Sequence, residues 1–409
     1  MLVAAWILAV SFLTLRPVGM PLEELPAISV TCLLCGSRGT ADAILNIVLF
    51  VPLGLALGGD VRGLRRAILA GLALSLMIEV AQTSLPGRHA SSADLLWNTL
   101  GAAVGTGVYA VLKRRLETPS LVGGRAWGMV LAVAFAVSGV LVIPAPTDDV
   151  YFGQWTPDLG SMPQYDGTVV EARLDGRALP PRRIDAPAPH RSLLEGDWSL
   201  DGRVVIGSQP RAVAPILSIY DLNQREILLL GAHRDDLVFR ERLLAHELGF
   251  ESPDLRLLHA FASLPPLDTV RVSALRRDGG TCLRLAAKER CGLGVTVART
   301  WGLLLYVTGP PEWFRGLVDV GWLVVLFFPL GLLAASLRDA AWGAGITGVA
   351  AAAAVLTTPL LAPTWWHILA GVAGIVLGRV ALLVLVRVLD RGAPQRPAAD
   401  RHEWVTRRS

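Results

Sequence analysis

Five polar residues interrupt long apolar stretches between positions 46 and 98. Glu79 and Gln82 are three residues apart, and Asp94 and Asn98 are four apart, so each pair would share one face of a helix. A carboxylate at the centre of a membrane helix costs on the order of 2.5–3.5 kcal/mol, so such a group usually faces a partner or a site. Together with Asn46, these acids and amides could hold a polar headgroup or exchange a proton.

The same residues also have a structural explanation, because polar side chains in membrane bundles hydrogen-bond between helices. The sequence alone leaves both explanations open. Arg88 lies between the two polar pairs and joins the candidate site, whereas His89 is interpreted as an ordinary loop residue. We name no catalytic residue. The predicted binding residues are Asn46, Glu79, Gln82, Arg88, Asp94 and Asn98.

Ordered motifs surround these residues. Residues 46–54 read Asn-Ile-Val-Leu-Phe-Val-Pro-Leu-Gly, and the segments Glu79-Val-Ala-Gln82, Ser92-Ala-Asp94 and Asn98-Thr-Leu-Gly101 follow. In this order they resemble the VanZ-like family of bacterial multi-pass membrane proteins, over roughly residues 1–117. The resemblance implies a function in the cell envelope and an association with resistance to the glycopeptide teicoplanin. It implies a family rather than a reaction.

The composition is that of a membrane protein. The chain has 409 residues, of which 53% are hydrophobic and 18% are charged, and its mean hydropathy is +0.50. The first apolar segment lacks a basic start and a clear cleavage site, so we interpret it as an uncleaved anchor. We predict eight membrane spans, at residues 2–15, 43–59, 67–85, 95–112, 127–144, 317–336, 341–361 and 365–386.

The basic residues predict the orientation. They concentrate in alternate connections, at residues 60–66, 113–125 and 338 and in the tail 387–409. We therefore expect a bacterial cell (inner) membrane protein with both termini in the cytoplasm and residues 145–315 outside it. The net charge of +4 is then a topology signal, and no basic-aromatic module indicates nucleic-acid binding.

An internal repeat relates the two ends of the chain. Leu49-Phe-Val-Pro-Leu-Gly54 recurs as Leu326-Phe-Phe-Pro-Leu-Gly331, at an offset of 277. The first and fifth spans share Ala-Val-Ser at an offset of 127. Because four crossings separate the copies, we predict two parallel four-helix repeats.

The second copy lacks the polar residues of the first. The offset of 277 places Leu323 at the position of Asn46. Aligning Gly101 with Gly371 places Thr364 at Asp94 and Ile368 at Asn98. Loss of the whole set favours a functional site in the first copy. The alternative is that packing of small residues replaced costly polar contacts in the second.

Residues 145–315 differ from the rest because charges return and short β-branched runs alternate with turns. The pattern predicts a β-sandwich with a hairpin turn at 277–280. The predicted strands are 168–174, 203–207, 215–220, 226–230, 236–240, 269–273, 281–285 and 303–307.

The run Pro215-Ile-Leu-Ser-Ile-Tyr-Asp221 and the strands after it resemble a concanavalin-A-like or laminin-G-like jelly roll. That resemblance implies binding of carbohydrate or another envelope ligand, in some members with calcium. No loop of fixed spacing marks a calcium site, so the candidate oxygen donors are better read as turn residues. His246-Glu247 lacks the second histidine of a zinc-protease motif, and we predict no metal or cofactor. The candidate oxygen donors are Asp221, Asn223, Asp235 and Asp236.

All four cysteines fall in segments predicted to lie outside the cytoplasm, where disulfides form. Cys282 and Cys291 are predicted to clamp a hairpin. For Cys32-Leu-Leu-Cys35, a small disulfide or free thiols is preferred over a redox or metal site, which would need a different context.

The sequence thus predicts a polytopic α-helical membrane protein with an inserted extracytoplasmic all-β jelly-roll sandwich. Its function would be to recognise a glycan or a lipid-linked envelope ligand at the bilayer rather than to catalyse a reaction. The alternatives are a membrane enzyme or transporter for a polar or lipid-linked precursor, and a non-catalytic anchor for an interaction domain. The predicted regions are a first module at 1–117, the first helix of a second module at 126–144, the β-sandwich at 148–312, three further helices at 316–389 and a basic tail at 390–409.

Overall fold

The computed structural model describes residues 6–7, 10–12, 14–15, 32–34, 38–58, 60–85, 91–117, 123–145, 151–154, 165–179, 183–184, 197–221, 225–277, 280–305 and 312–392. These residues form helices at both ends of the chain and two β-sheets between them. The helices are α1 Gly39–Leu57, α2 Val61–Gln82, α3 Ser92–Glu117, α4 Gly123–Leu141, α5 Leu244–Glu247, α6 Thr300–Leu304, α7 Glu312–Leu333, α8 Leu337–Thr357 and α9 Trp365–Gly392.

Within the described residues, five helices are long and apolar enough to cross a bilayer: α1, α3, α4, α8 and residues 365–387 of α9. The chain is a multi-pass membrane protein. The apolar part of α7 is the shorter segment Leu317–Leu333. Helix α2 carries arginines in its first two turns but exposes an apolar face further on, including Leu76 and Val80. Eight crossings stay a prediction.

Glycines set the closest helix contacts in the first half. Helices α1 and α3 run parallel, and a Cβ built at Gly101 would lie 2.3 Å from the Ile47 carbonyl oxygen. One turn further along, a Cβ at Gly105 would lie 2.1 Å from the Val51 carbonyl oxygen. Small residues at this spacing let two membrane helices approach to backbone contact. Asn46 and Asp94 are thereby brought to the same level.

The same backbone contact occurs between α7 and α9. A Cβ at Gly374 would lie 2.5 Å from the Val324 carbonyl oxygen, and one at Gly378 would lie 2.0 Å from the Phe328 carbonyl oxygen. Val324 and Phe328 lie 277 residues after Ile47 and Val51, which is the offset of the sequence repeat.

These contacts change one predicted alignment. They match Gly101 with Gly374 rather than with Gly371, so His367, not Thr364, corresponds to Asp94. Gly371, not Ile368, corresponds to Asn98. The prediction used a glycine three residues away because α9 contains several glycines and the sequence does not show which one touches α7.

A hydrogen bond is also repeated. The Trp6 indole donates to the Leu49 carbonyl and the Trp127 indole donates to the Leu326 carbonyl, each at 3.0 Å. Both acceptors lie three residues before a proline inside the helix, next to the carbonyl of residue 48 or 325, which the proline deprives of its helical donor. Trp6 and Trp127 are 121 residues apart, whereas the Ala-Val-Ser match between the same two predicted spans has an offset of 127.

The region between the helices forms two six-stranded antiparallel sheets, with strand orders β4-β1-β6-β7-β8-β9 and β12-β11-β10-β5-β2-β3. Seven of the eight predicted strands are confirmed. The strands are β1 Tyr151–Gln154, β2 Thr168–Leu174, β3 Arg177–Ala178, β4 Arg183–Ile184, β5 Trp198–Val205, β6 Ala214–Asp221, β7 Glu226–His233, β8 Asp236–Glu241, β9 Leu255–Leu257, β10 Thr269–Arg277, β11 Gly280–Leu285 and β12 Lys288–Leu293.

The predicted strand at 303–307 is wrong, because Thr300–Leu304 is helix α6. The Trp301 indole donates to the Ala134 carbonyl of α4 at 3.0 Å, and Leu304 is buried with residues of the helices. Contact with the helical region makes this segment a helix, and a local sequence pattern does not show that contact.

The two sheets enclose one apolar core. Alternate residues of β5, including Trp198, Leu200 and Val204, point inward, whereas β6 and β7 are buried along almost their whole length. Leu217 and Leu228 are fully buried in this core. The single buried face of β5 is typical of a sheet with one solvated side.

The β region lies on one end of the helical bundle. The Gly249 carbonyl accepts from the backbone N–H groups of Thr40 and Ala41, at 3.1 and 3.0 Å, and so occupies the start of α1. Leu244 N–H donates to the Ile143 carbonyl after α4, and Val297 N–H donates to the Leu361 carbonyl between α8 and α9. The start of α1 and the ends of α4 and α8 therefore face the sheets.

Candidate functional site

Four of the six predicted binding residues come together between α1, α2 and α3. The Asn46 side-chain amide donates to Asp94 Oδ1 at 2.8 Å. Glu79 and Asn98 are 4% exposed, while Asn46 and Asp94 are partly buried. We call Asn46, Ser75, Glu79, Asp94 and Asn98 the acid cluster.

Ser75 is a member that the sequence analysis missed. Its hydroxyl donates to the Asp94 backbone carbonyl at 3.4 Å and accepts from the Asn98 amide at 2.9 Å. Ser75 lies four residues before Glu79 on α2, so it shares the face of that helix. The sequence feature that could have identified Ser75 is its position one helical turn before the acid Glu79.

Asn98 has an unused acceptor. Its Nδ2 donates to Ser75, but no donor in the described part of the chain reaches its buried Oδ1 atom. Buried polar atoms are nearly always paired, so Asn98 Oδ1 is a candidate acceptor for a water molecule or for a ligand that carries a hydroxyl or an amide.

The two carboxyl groups of the acid cluster are neighbours. Glu79 Oε2 accepts from the Ser91 backbone N–H at 2.6 Å, and Asp94 lies near enough to interact with it electrostatically. Two neighbouring acids beside Asn98 Oδ1 form a candidate site for proton exchange.

Gln82 does not join the cluster. Gln82 Nε2 donates to the Thr14 backbone carbonyl at 3.0 Å, which connects α2 to the first predicted span. Its role is therefore a helix-to-helix contact, which the prediction gave as the structural alternative. Arg88 and the neighbouring His89 lie outside the described residues.

The acid cluster is at the end of the bundle that faces the β region. Asp94 lies in the first turn of α3, and α3 runs parallel to α1, whose first residues donate backbone N–H groups to the Gly249 carbonyl. Asn46 is seven residues into α1, or roughly 10 Å along the axis. The Trp97 indole donates to the Leu33 carbonyl at 3.0 Å, so residues 32–34 also lie beside the start of α3.

The second helical half has different residues at the end that faces the β region. If the two halves are aligned on their matching glycine contacts, Leu323, His367 and Gly371 fall at the positions of Asn46, Asp94 and Asn98. Asp319 forms an ion pair with Arg299 of the β region at 2.8 Å. By the offset of 277, Asp319 corresponds to Asp42, which likewise pairs with an arginine, Arg38, in the first half.

A second polar cluster lies at the opposite end of the bundle. Arg115 donates to the carbonyls of Leu333 and Ala334 at 2.8 and 2.7 Å, and Arg379 donates to Ala334 at 2.9 Å. Asp339, which is 3% exposed, accepts from the N–H groups of residues 124, 125 and 335. We call Arg115, Asp339 and Arg379 the capping cluster, because they satisfy backbone groups at helix ends.

The suggested calcium donors do not gather in one site. Asp221 is fully buried and accepts from Arg225 at 2.6 Å, and Asn223 lies outside the described residues. The carboxylates of Asp235 and Asp236 lie near the His259 ring, with ligand atoms within 4.8 Å of one another. Hydrogen bonding by His259 lowers the pKa of Asp235 below its ordinary value, so the group is already used by a protein partner.

The cysteines form disulfide bonds. Cys282 and Cys291 are joined across the β11–β12 hairpin. Cys32 is also disulfide-bonded, while Cys35 falls outside the described residues.

Comparison with known protein families is informative for the first half. Residues 6–113 match the VanZ/LLP1 family model. The match covers about a quarter of the chain and includes all five residues of the acid cluster. The helical region that holds the acid cluster is therefore VanZ-like, in agreement with the resemblance found from the sequence. Neither the curated proteins nor the solved structures include a match to this chain.

Proposed function

We propose that the VanZ-like region binds a polar group of a cell-envelope ligand in the acid cluster, at the outer surface of the bacterial cell membrane. The β region, proposed to be a jelly-roll sandwich, lies outside the membrane and recognises a glycan or a similar envelope component. Both termini are cytoplasmic in this proposal.

One observation carries the proposal. Glu79 and Asp94 are two acids held close together, and no donor among the described residues reaches the buried Oδ1 atom of the neighbouring Asn98. A cluster selected only to join helices would avoid both features, because each costs free energy in a low-dielectric bundle. A ligand that donates to Asn98 and shares a proton with the acid pair would offset that cost.

The structural alternative explains part of the cluster. Glu79 accepts the Ser91 N–H just before α3, and a carboxylate is favourable near a helix N-terminus. A glutamine can also accept this N–H, less strongly than a carboxylate, and would not repel Asp94. Stabilisation of α3 therefore accounts for an acceptor at position 79 but not for the proximity of a second acid.

The proposed duplication supports a site in the first half. The repeated contacts of Gly101 with Ile47 and of Gly374 with Val324 indicate two related helical modules. The second module keeps the helix packing without the acid cluster. Packing of this kind is thus possible without these acids, which favours a functional reason for them.

The experiment measures resistance to teicoplanin, which is the phenotype that the family resemblance suggests. The wild-type protein, Glu79→Gln and Asp94→Asn would be expressed in a susceptible bacterium, and the minimal inhibitory concentration would be measured. We expect both variants to lose the protection given by the wild type while reaching the same level in the membrane.

Asp42→Asn is the matched control, because Asp42 is an exposed acid near the start of α1 that pairs with Arg38 at 3.9 Å. It should retain protection. Full protection by both Glu79→Gln and Asp94→Asn would exclude the proposed site. Equal loss in all three variants would point to a general requirement for acidic residues at this end.

A second candidate function is acid–base chemistry on a lipid-linked precursor, which the two neighbouring acids favour. Asp94→Glu separates the two candidates. It keeps a carboxyl group but moves it by one methylene. If Asp94 transfers a proton, Asp94→Glu should retain part of the activity, whereas Asp94→Asn should have no activity. If Asp94→Asn keeps protection, proton transfer by Asp94 is excluded.

A further inference from the structure

The solvated face of the second sheet has an open depression of about 500 Å³. This lies within the range of pockets that hold small ligands, roughly 300–1,000 Å³. Its lining contains three arginines and no acidic residue. We call it the basic depression, and its lining residues are Arg203, Thr269, Val270, Arg271, Arg284 and Ala286.

The strand register explains why the arginines converge. Arg203 of β5 is the direct cross-strand partner of Arg271 of β10. Ser273, two residues after Arg271, is the partner of Arg284 of β11. Because side chains two residues apart share a face, all three guanidinium groups lie on the same side of the sheet.

Two of these arginines have no ion pair within the described residues. Arg203 and Arg271 are exposed, and no described carboxylate lies within 4.0 Å of either. Glu171, the neighbour of Arg203 on β2, pairs with Arg173, and Glu289 pairs with Arg284. Arg203 and Arg271 are directly opposite each other, and like charges in this arrangement destabilise a sheet, so an anion between them would be favourable.

From this geometry we infer that the basic depression is a binding site for a phosphate ester. Guanidinium groups bind phosphate through paired, charge-assisted hydrogen bonds. Arg203 and Arg271 lie on adjacent strands, so both can reach one tetrahedral phosphate, with Arg284 and Thr269 at its edge. The ligand is either a phosphorylated saccharide or a phospholipid headgroup.

This inference deepens the recognition function proposed for the β region, because it names the chemical class of the ligand. It does not depend on the acid cluster, which lies in the helices. Glu79→Gln should therefore leave phosphate binding unchanged, so the two proposals can fail separately.

The test uses the full chain in a neutral detergent and measures binding by isothermal titration calorimetry. Four probes distinguish the sources: glucose 1-phosphate, glucose, inorganic phosphate and dihexanoylphosphatidylglycerol. We expect glucose 1-phosphate or the lipid to bind and glucose not to bind. Affinity should fall as NaCl rises, since an exposed charge pair is screened.

The variants are Arg203→Gln, Arg271→Gln and the double variant. Each single change should weaken binding by about tenfold, as expected for loss of one charge-assisted contact, and the double variant should abolish it. Arg177→Gln is the control, because Arg177 is an exposed arginine of the same sheet, on β3, outside the depression. It should bind within about twofold of the wild type if the site is specific.

Preference for glucose 1-phosphate supports a saccharide source, and preference for the lipid supports a headgroup source. Binding of glucose as strongly as its phosphate would overturn the inference while leaving glycan recognition intact. The absence of phosphate-ester binding, or an equal loss in Arg177→Gln, would also overturn it. Circular dichroism of each variant establishes that the sheet is folded.

Discussion

The two polar clusters of the helical bundle differ in how completely they are paired. In the capping cluster, Arg115 and Arg379 donate to backbone carbonyls, and both carboxylate oxygens of Asp339 accept from backbone N–H groups. In the acid cluster, Glu79 lies close to another acid, and Asn98 has an acceptor that no donor in the described part of the chain reaches. About 31 Å of α3 separates Asp94 from Arg115.

This difference assigns the capping cluster to stability and the acid cluster to function. Charges that satisfy helix ends replace lost backbone hydrogen bonds and need no ligand. Two neighbouring acids do the opposite, since they add a repulsion, which a shared proton or a ligand can relieve in addition to the donors Asn46 and Ser91. Buried polar groups in a membrane protein therefore need to be judged by what remains unpaired, not by burial alone.

The largest effect is expected from Asp339→Ala. The change leaves three backbone N–H groups and nearby Arg125 without their acceptor, and breaking a buried pair of this kind costs about 3–5 kcal/mol. Thermal unfolding in detergent should show the loss. Asp60→Ala is the control, because it removes an exposed N-cap of α2, worth about 1 kcal/mol. Equal losses in the two variants would remove the distinction between the clusters.

The next largest effect is expected from changes to the close helix packing in each half. Gly101→Val and Gly374→Val each insert a side chain where two helix backbones touch, which typically costs about 1–3 kcal/mol. We expect similar destabilisation in both halves, measured by chemical unfolding. Only Gly101→Val should also abolish teicoplanin protection, because it separates Asn46 from Asp94. Gly107→Ala, which meets open space, serves as the control.

A smaller change in stability is expected from replacing Ser75 by Ala and Asn98 by Leu together. Removing both partners of a buried hydrogen bond with apolar groups is nearly neutral, within about 1 kcal/mol. Protection should nevertheless be lost, because the free acceptor of Asn98 is gone. Retained protection in a folded double variant would show that this acceptor has no role.

The smallest effect belongs to an ordinary ion pair outside the membrane. Hydrogen bonding from Arg242 lowers the pKa of Glu247 below its ordinary value, at a distance of 2.7 Å. A lowered carboxyl pKa adds stability above the unfolded value of about 4.3, and this is lost as the pH falls through the folded value. Glu247→Gln should therefore cost up to about 1 kcal/mol at pH 7 and almost nothing at pH 3. A loss that does not change with pH would exclude the ion pair as its cause.

Much of the architecture could be predicted from the sequence. Apolar runs of sufficient length located every long helix, and β-branched runs located seven strands, because both patterns are local. The strand predicted at 303–307 was wrong because Trp301 and Leu304 pack on helices distant in sequence. The sequence analysis aligned Gly101 with Gly371 and not with Gly374 for a similar reason, since the sequence does not show which glycine of α9 touches α7.

The candidate site was predicted in part. Spacing placed Glu79, Asp94 and Asn98 on shared helix faces, and the cost of a polar group in lipid indicated that they would meet. Ser75 was missed because a single hydroxyl in an apolar helix has little cost and so little signal. Gln82 has the same spacing as the others, and only the position of Thr14 directs it away from the cluster.

The measurement that tests the central claim most directly is thermal unfolding of Glu79→Gln in detergent. If the acid cluster is kept for ligand binding, the variant should be as stable as the wild type or more stable by up to about 1 kcal/mol, because it loses an acid–acid contact and keeps the Ser91 hydrogen bond. A loss of about 3 kcal/mol or more, the cost of breaking a buried structural pair, would contradict the account and assign Glu79 to helix packing.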